Sequence, residues 1–376
     1  MQLTRNKLII SSAGSGKTTF LVKEALSNSN SKIAILTYTN NNILEIKNKF
    51  CAINGVIPSR VNVVQWHHFL LCHCARPYQS FVYPDRRIRR VAFLNGRSSP
   101  FAPKLQTQRY YLWNSEEIYH DKISEFIIEC EKNSNGRVLN RLAGIYDEIY
   151  VDEFQDMAGW DFDFIRILLQ SRIRVLLVGD PRQYTYRTND AKKNSQYCGI
   201  GILKLASEWA SENLCQLENH ARSYRCNQKI CDYADTLWPD LEPTLSLNYN
   251  TTSHDGIFVV ASTELHEYIK TFSPAILRYD RRTPAYGFSA SNFGVVKGIT
   301  FGRVLILSHG KIKNYLKSGN VEDVAKSIEK FYVAVTRARF SVAFLYDGVH
   351  GAAYTKWEPD STVPTRLATG SKDPDS

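Results

Sequence analysis

Residues 11–19 read SSAGSGKTT and hold the residue types that phosphate binding needs. Glycines let backbone N–H groups wrap an anion at a helix N-terminus, a lysine adds a point charge, and a threonine hydroxyl can bind Mg²⁺. An ordinary glycine-rich turn is the alternative, and Ser11 replaces the usual first glycine. We expect a bound nucleoside triphosphate here, contacted by Ser12, Ala13, Gly14, Ser15, Gly16, Lys17, Thr18 and Thr19.

Residues 150–156 read YVDEFQD, an apolar run that ends in adjacent acids. Paired with a phosphate loop, such acids hold Mg²⁺ and polarise a water for attack. We expect Asp152 to bind Mg²⁺ together with Thr18, and Glu153 to polarise the water. Alone, the segment could equally be a solvated acidic loop. With the loop at 11–19, it predicts ATP hydrolysis.

Three further side chains are candidates for contact with the γ-phosphate. Gln183 lies in the segment VGDPRQYTY, which follows an apolar run, and is a plausible sensor of that phosphate. Arg225 and Arg337 could reach it from a second domain, because a guanidinium is planar and stays charged. Tyr184 and Tyr186 could stack on bases, although tyrosines near turns are more often packing residues.

Short apolar runs alternate with helical patterns, which indicates an α/β fold with parallel sheets and ligands beyond the carboxyl ends of the strands. The pattern predicts strands at 8–12, 32–37, 61–65, 149–151, 175–178, 257–261, 275–277, 304–307 and 342–345. It predicts helices at 17–28, 40–50, 116–132 and 321–335.

Length and charge suggest two domains and an anionic partner. The chain has 376 residues, 43% of them hydrophobic, a formal charge of +10 and a pI near 9.1. A basic surface attracts phosphates, though a generic basic enzyme is the alternative. We expect a first domain at 1–213 with an arginine-rich insertion at about 76–135, a second domain at 214–350, and a loose tail at 351–376.

The remaining patterns concern cellular location, disulfide bonds and metal binding. There is no signal peptide and no run of 18 apolar residues, so we expect a cytoplasmic protein without membrane contact. No C-x-x-C pair occurs, which argues against a disulfide framework. His67, His68, Cys72, His73 and Cys74 could bind a metal, but a buried thiol and capping imidazoles are the better interpretation.

In order, eight segments resemble the motifs of superfamily-one helicases of the UvrD/Rep type. They are SSAGSGKTT (motif I), ILTYTNNNILEIKNKF (Ia), QWHHFL (the next DNA-contacting motif), VDEFQD (II), VGDPRQYTY (III), SYRCNQKI (IV), VVKGITFGRV (V) and FYVAVTRAR (VI). The resemblance implies two RecA-like domains with ATP between them, ATPase activity stimulated by single-stranded DNA, and 3′-to-5′ translocation. It implies DNA contacts by Thr39, Asn40, Trp66, His67, Tyr186 and Lys297.

Four features depart from that family. Thr300 stands where motif V has a ribose-binding glutamate, and Gly294 where it has a histidine. Gln2 is too close to Lys17 for an adenine-reading motif, so we expect weak preference of ATP over GTP. Motifs IV and V are separated by only about seventy residues, too few for the large lobe that family members insert in the second domain.

The compact form also resembles, more loosely, UvrD-like proteins encoded beside OLD-type nucleases in anti-phage systems such as Gabija. That implies a nuclease partner and a role in antiviral defence. The sequence leaves open a true helicase, a translocase with little unwinding, or a regulatory subunit whose nucleotide state switches a nuclease.

Overall fold

The protein, seen in a computed structural model that describes residues 5–351 and 354–359, contains two parallel six-stranded sheets covered by helices. This confirms the predicted α/β class with two RecA-like domains. Gln2 and most of the predicted tail lie outside the described residues.

The strands follow the runs of β-branched and aromatic residues. In chain order they are β1 Lys7–Ser11, β2 Ile33–Thr37, β3 Val61–Gln65, β4 Arg90–Ala92, β5 Leu112–Asn114, β6 Glu117–Tyr119, β7 Glu148–Val151, β8 Arg174–Gly179, β9 Gln216–His220, β10 Arg222–Ser223, β11 Leu245–Ser246, β12 Gly256–Val260, β13 Ala275–Arg278, β14 Ser291–Asn292, β15 Phe301–Leu307, β16 Ala338–Leu345 and β17 Thr355–Lys356.

The helices cover the faces of these sheets. They are α1 Lys17–Ser27, α2 Asn40–Asn54, α3 Trp66–Phe69, α4 Arg76–Tyr78, α5 Thr107–Tyr111, α6 Ile123–Asn133, α7 Arg137–Ile145, α8 Trp160–Leu169, α9 Ile202–Ser211, α10 Gln228–Asp235, α11 Leu265–Phe272, α12 Gly310–Ser318 and α13 Ile328–Val335. A π-helical stretch, Leu70–Ala75, joins α3 to α4.

The first sheet has the order β3-β2-β7-β8-β1-β9, with every pair parallel. Its central strands are buried on both faces, which is why they read as continuous apolar runs. Their carboxyl ends bring Ser11, Asp152 and Asp180 to one edge, as predicted. Strand β9 lies after residue 213 and pairs with β1, so this sheet extends past the predicted domain boundary.

The second sheet has the order β14-β13-β15-β16-β12-β17, also parallel throughout. Between Arg225 and Lys297 the chain forms short elements of this domain, and no large lobe is inserted in that described stretch. Strand β17 belongs to the stretch predicted as a loose tail, yet it pairs with β12.

Two predicted helices are wrong in part. Residues 117–119 form β6 rather than helix, because they pair with β4 and β5 in a small three-stranded sheet inside the insertion. Residues 321–327 form two 3₁₀ turns before α13. Their apolar side chains pack against the second core without a continuous helix.

None of the helices in the described part of the chain has the length and apolar character to cross a membrane.

Candidate active site and nucleic-acid face

The phosphate loop joins β1 to α1 through two glycines in the left-handed region. Gly14 has φ 74° and Gly16 has φ 81°, conformations that a side chain disfavours. Lys17 and Thr18 open α1, so their backbone N–H groups stand at a helix N-terminus where an anion is favoured. The local structure therefore agrees with the predicted phosphate-binding role.

The second domain packs directly on this loop. The Tyr224 N–H donates to the Gly14 carbonyl at 2.9 Å, and the Ala13 N–H donates to the Tyr332 hydroxyl at 3.3 Å. A Cβ atom on Gly14 would lie 2.6 Å from Ser223 Oγ and 2.7 Å from Arg225 Cβ. Glycine is thus needed both for the turn and for the approach of the second domain.

A cavity of about 310 Å³ lies where the two domains meet. The first domain contributes Lys17, Thr18, Glu153 and Gln183 to its walls, together with Gly14, Ser15, Gly16 and Thr19. The second domain contributes Arg225 and Arg337, together with Tyr224, Gly298, Thr300 and Arg339. Ser12 and Ala13, also predicted to contact the nucleotide, are buried within the loop and are not part of the cavity wall, and Ser12 Oγ is 3.0 Å from Thr244 Oγ1.

The two adjacent acids are held in different electrostatic states. Burial, and then the neighbouring Glu153 carboxylate, raise the pKa of Asp152 to about 8. Burial alone would raise the pKa of Glu153, but the Lys297 and Lys17 ammonium groups outweigh it and lower that pKa to about 2. Glu153 also has φ 55°, an uncommon value for a non-glycine residue at the end of a strand.

The residues at this site fit Mg²⁺. Thr18 Oγ1 and the carboxylates are hard oxygen ligands, and Mg²⁺ is commonly held by one or two carboxylates plus substrate phosphates. Asp152 is 3% exposed and desolvated, a state that a divalent cation would relieve.

The predicted sensor and arginine are joined across the domain boundary. Arg337 is 1% exposed and donates through Nη2 to Gln183 Oε1 at 3.1 Å. Gln183 in turn donates through Nε2 to Asp180 Oδ2 at 2.7 Å. Burial, and then the nearby Arg225 guanidinium, lower the pKa of Arg337 to about 9, so an anion in the cavity would stabilise its charge.

Lys297, a predicted DNA contact, is mostly buried in this structure. Its side chain is 9% exposed, and Nζ lies 2.8 Å from Asp156 Oδ2 and 3.5 Å from Glu153 Oε2. It also donates to the Gln183 carbonyl at 3.2 Å. Lys297 therefore links the motif V segment to the acidic segment.

Trp66 is also unavailable as a stacking surface. It is fully buried in the first core, and the adjacent His67 is 2% exposed. Burial, and then His120, lower the pKa of His67 to about 3, so the ring is neutral. The motif correctly identifies where these residues lie in the chain. Their side chains, however, are buried beneath a surface formed by other aromatic residues.

An aromatic face lies above them. The rings of Tyr186 and Tyr38 are 6.4 Å apart, Tyr38 is 5.7 Å from His67, and His67 is 5.0 Å from Phe93. Tyr186 is 40% exposed and Phe93 is 56% exposed, so both can meet a ligand. Thr39 caps α2, accepting the Asn42 N–H at 3.2 Å, and Asn40 is exposed beside it.

Three residues of these sites were not predicted from the sequence. Glu45 lines the cavity, and its Oε1 accepts from Thr18 Oγ1 at 3.4 Å. Asp156 pairs with Lys297, and Phe93 lies in the aromatic face. Glu45 is eight residues beyond the end of a strand, and only the fold brings it back to the loop.

Residues 99–196 match the UvrD/REP helicase N-terminal domain family. That span is roughly a quarter of the chain and holds the acidic segment and Gln183. A curated relative, "Probable DNA helicase II homolog" of Mycoplasma capricolum, is 30% identical over 104 residues. The match covers 27% of this chain and 14% of that relative. Both comparisons support the predicted resemblance to UvrD-like helicases.

Solved structures of viral helicases show a weak structural likeness to this chain. Arterivirus nonstructural protein 10 is 16% identical with a TM-score of 0.46, and the match covers 91% of this chain and 59% of that protein. The PRRSV helicase is 14% identical with a TM-score of 0.43, and the match covers 91% and 52% of the two chains. These are loose likenesses of fold alone.

Proposed function

We propose that this chain is an ATP-dependent, UvrD-like DNA helicase or translocase whose ATP hydrolysis is stimulated by single-stranded DNA. The observation that carries the proposal is the interdomain cavity. Lys17, Thr18, Glu153 and Gln183 line it from one domain, and Arg225 and Arg337 line it from the other.

Each wall of the cavity has a distinct task in the proposed reaction. Lys17 and the loop N–H groups bind the β- and γ-phosphates, while Glu153 accepts a hydrogen bond from the attacking water and orients it. Bound Mg²⁺, held by Thr18 and Asp152, would neutralise charge on the phosphates. Arg225 and Arg337 stabilise the charge that develops on the γ-phosphate, as arginine fingers do.

The same contacts link the nucleotide cavity to the aromatic face, which is the proposed binding surface for single-stranded DNA. Gln183 Oε1 accepts from Arg337, and Tyr186, three residues further on, donates its hydroxyl to the Gly294 carbonyl at 3.2 Å. A change at the γ-phosphate would thus reach a residue that can stack on a base. The direction of movement, 3′ to 5′, rests on the family resemblance.

Glu153→Gln tests the proposal directly. The variant should bind ATP·Mg²⁺ with nearly unchanged affinity but hydrolyse it about 10²–10⁴-fold more slowly, both with and without oligothymidylate. Glu212→Gln, at an exposed carboxylate paired with Arg166, is the matched control. If Glu153→Gln hydrolyses ATP at the rate of the unsubstituted chain, Glu153 has no role in the mechanism. If oligothymidylate does not raise the hydrolysis rate of the unsubstituted chain, hydrolysis is not coupled to DNA.

A second candidate is a regulatory subunit whose nucleotide state switches a nuclease. The compact second domain favours it, because the stretch between motifs IV and V holds no lobe to grip a duplex. The nuclease itself, of OLD type, and a role in antiviral defence rest on the looser resemblance alone. Copurification with the product of a neighbouring nuclease gene, with and without ATP, would test this candidate.

A further inference from the structure

A buried arginine, Arg182, lies behind the phosphate loop, where the two domains touch. It is 4% exposed and belongs to the short turn that follows β8. Its partner Asp180 is fully buried, and neither residue lines the nucleotide cavity. Arg182 is therefore placed to act on the cavity only through other side chains.

Within the first domain, Arg182 holds Asp180, and Asp180 holds the predicted γ-phosphate sensor. Arg182 Nε donates to Asp180 Oδ1 at 3.0 Å, and Gln183 Nε2 donates to Asp180 Oδ2 at 2.7 Å. A carboxylate paired with an arginine is ionised and can only accept hydrogen bonds, so it binds the NH₂ end of the Gln183 amide. The amide oxygen is thereby left to accept the Arg337 guanidinium at 3.1 Å.

Arg182 also reaches the second domain. Its Nη1 lies 3.5 Å from Asp235 Oδ1, on α10. The Thr244 N–H and hydroxyl donate to the two oxygens of Asp235 at 2.6 and 2.9 Å, and Thr244 Oγ1 is also 3.0 Å from Ser12 Oγ. Arg182 Nη2 donates to the Ser11 carbonyl at 3.3 Å. The guanidinium thus joins the phosphate loop, the motif III segment and α10.

The surroundings of Arg182 require a guanidinium rather than any cation. Burial alone would lower the pKa of Arg182, but the Asp180 and Asp235 carboxylates outweigh it and raise that pKa. The Tyr332 ring lies 5.2 Å from the guanidinium carbon and adds a cation–π contact. A planar fork can bind two carboxylates and a carbonyl at once, whereas an ammonium group is a compact point charge. Lysine should therefore be a poor substitute here.

We propose that Arg182 is a positioning residue of the ATPase, which sets the contact between Gln183 and Arg337 through Asp180 and links it to domain approach through Asp235. The inference rests on the proposed function, because it concerns the geometry of ATP hydrolysis. Arg182 and Gln183 belong to the first domain, and Asp235 and Arg337 to the second. Closure of the cleft therefore forms both cross-domain contacts in the same movement, and loss of the Asp180 contact frees the Gln183 amide to turn away from Arg337.

Arg182→Lys is the central variant, because it keeps the charge but not the fork. We expect kcat for ATP to fall about 10- to 100-fold, within the cost of a misplacement of about 1 Å, while KM stays nearly unchanged. The matched control is Arg166→Lys, at an exposed arginine that pairs with Glu212, and it should keep the unsubstituted rate. Thermal unfolding followed by circular dichroism verifies that both variants are folded.

Asp235→Asn tests the link to the second domain and leaves the pair of Arg182 and Asp180 in place. The amide still offers an oxygen to Thr244, but it carries no charge for Arg182. We expect kcat to fall about 3-fold, the scale of one weak ion-pair contact. An unsubstituted rate in this variant would overturn the link to domain approach. The variant also carries the test if Arg182→Lys does not fold.

A double variant separates positioning from a general loss of structure. If Arg182 acts through Gln183, then Arg182→Lys should add no further loss of kcat in a chain that already carries Gln183→Ala. Losses that multiply in the double variant would mean that Arg182 acts independently of Gln183, which would overturn the proposal.

The outcomes also distinguish this inference from the proposed function. If the unsubstituted chain hydrolyses ATP in response to oligothymidylate and Arg182→Lys does so at the same rate, the role of Arg182 is overturned while the proposed function stands. If the unsubstituted chain hydrolyses no ATP, the proposed function fails, and the role of Arg182 in that reaction fails with it.

Discussion

Lys297 and Asp156 form an ion pair that crosses from the second domain to the first. The Asp156 side chain is 2% exposed, and burial raises its pKa to about 7 although Lys297 opposes that shift. Pairs of this kind add little net stability, but removal of one partner leaves a buried charge without compensation. The pair therefore tests whether Lys297 is structural or a DNA contact.

We predict that Lys297→Met destabilises the protein by about 3–5 kcal/mol, because Asp156 is left alone in the interior. The double variant Lys297→Met, Asp156→Asn should recover part of that loss, since the Asp156 charge is then gone while the Glu153 carboxylate still lacks Lys297. Urea unfolding followed by circular dichroism measures both. Equal stability of the single and double variants would show that the two residues do not depend on each other.

Asp161 tests how burial changes the pKa of a carboxyl group that does not line the candidate active site. It is 1% exposed, it binds the Ser124 and Thr188 hydroxyls, and burial raises its pKa from 3.8 to about 6. A carboxyl whose pKa is higher in the folded than in the unfolded protein ionises first in the unfolded chain. Its contribution to stability is therefore present below pH 4 and is lost as the pH rises to about 6.

We predict that Asp161→Asn raises the free energy of unfolding at pH 7 by up to about 3 kcal/mol, since each pKa unit is worth about 1.4 kcal/mol. Near pH 4 the gain should disappear. Unfolding curves at the two pH values check this. A gain of the same size at both values would point to packing or hydrogen bonding instead of ionisation.

At the scale of elements, the sequence predicts most strands and the site they carry. Strand β3 matches its predicted bounds, and β1, β2 and β7 differ by a residue at their ends, because buried parallel strands show as short apolar runs between polar turns. Strand β6 was missed because its three residues are held by pairing with β4 and β5, and no local pattern records that pairing.

The sequence likewise predicts some features of the candidate site and misses others. As the motifs predict, one cavity is lined by Lys17, Glu153, Gln183, Arg225 and Arg337. Trp66 is fully buried and the Lys297 side chain is 9% exposed, because the motif specifies position along the chain but not burial. Glu45 joins the cavity only through the packing of α2 against α1.

The loop between β1 and α1 also sets how closely the two domains approach. We predict that Gly14→Ala abolishes ATPase activity, because the new Cβ would strain the backbone and collide with Ser223 and Arg225. Gly55→Ala is the control: Gly55 has φ 78°, with no atom within 4 Å of an added Cβ. Both substitutions should cost a similar backbone strain, about 1 kcal/mol. A similar loss of activity in both would mean that strain, and not domain approach, is the cause.

At the scale of the whole molecule, the two sheet domains meet at the candidate nucleotide cavity, and no large lobe is inserted between residues 225 and 297. The insertion in the first domain instead carries exposed arginines and aromatic residues, including Phe101 at 91% and Trp113 at 59% exposure. With a net charge of +10, such a molecule can hold a DNA backbone through phosphate contacts. Movement along a strand and separation of a duplex are then different tasks.

We predict that the isolated chain translocates on single-stranded DNA but separates long duplexes poorly, because stacking of about 1–3 kcal/mol per base holds a strand without forcing the next base pair open. Displacement of streptavidin from the end of a biotinylated single strand measures translocation, and strand release from a 3′-tailed duplex measures unwinding, in the same buffer. A 5′-tailed duplex is the polarity control, and Glu153→Gln is the control for hydrolysis. ATP-dependent release of long duplexes at the rate of streptavidin displacement would contradict the prediction, since the compact second domain would then suffice for unwinding. If neither streptavidin nor the duplex strand is released while ATP is still hydrolysed, a nucleotide-driven switch becomes the better account of the molecule.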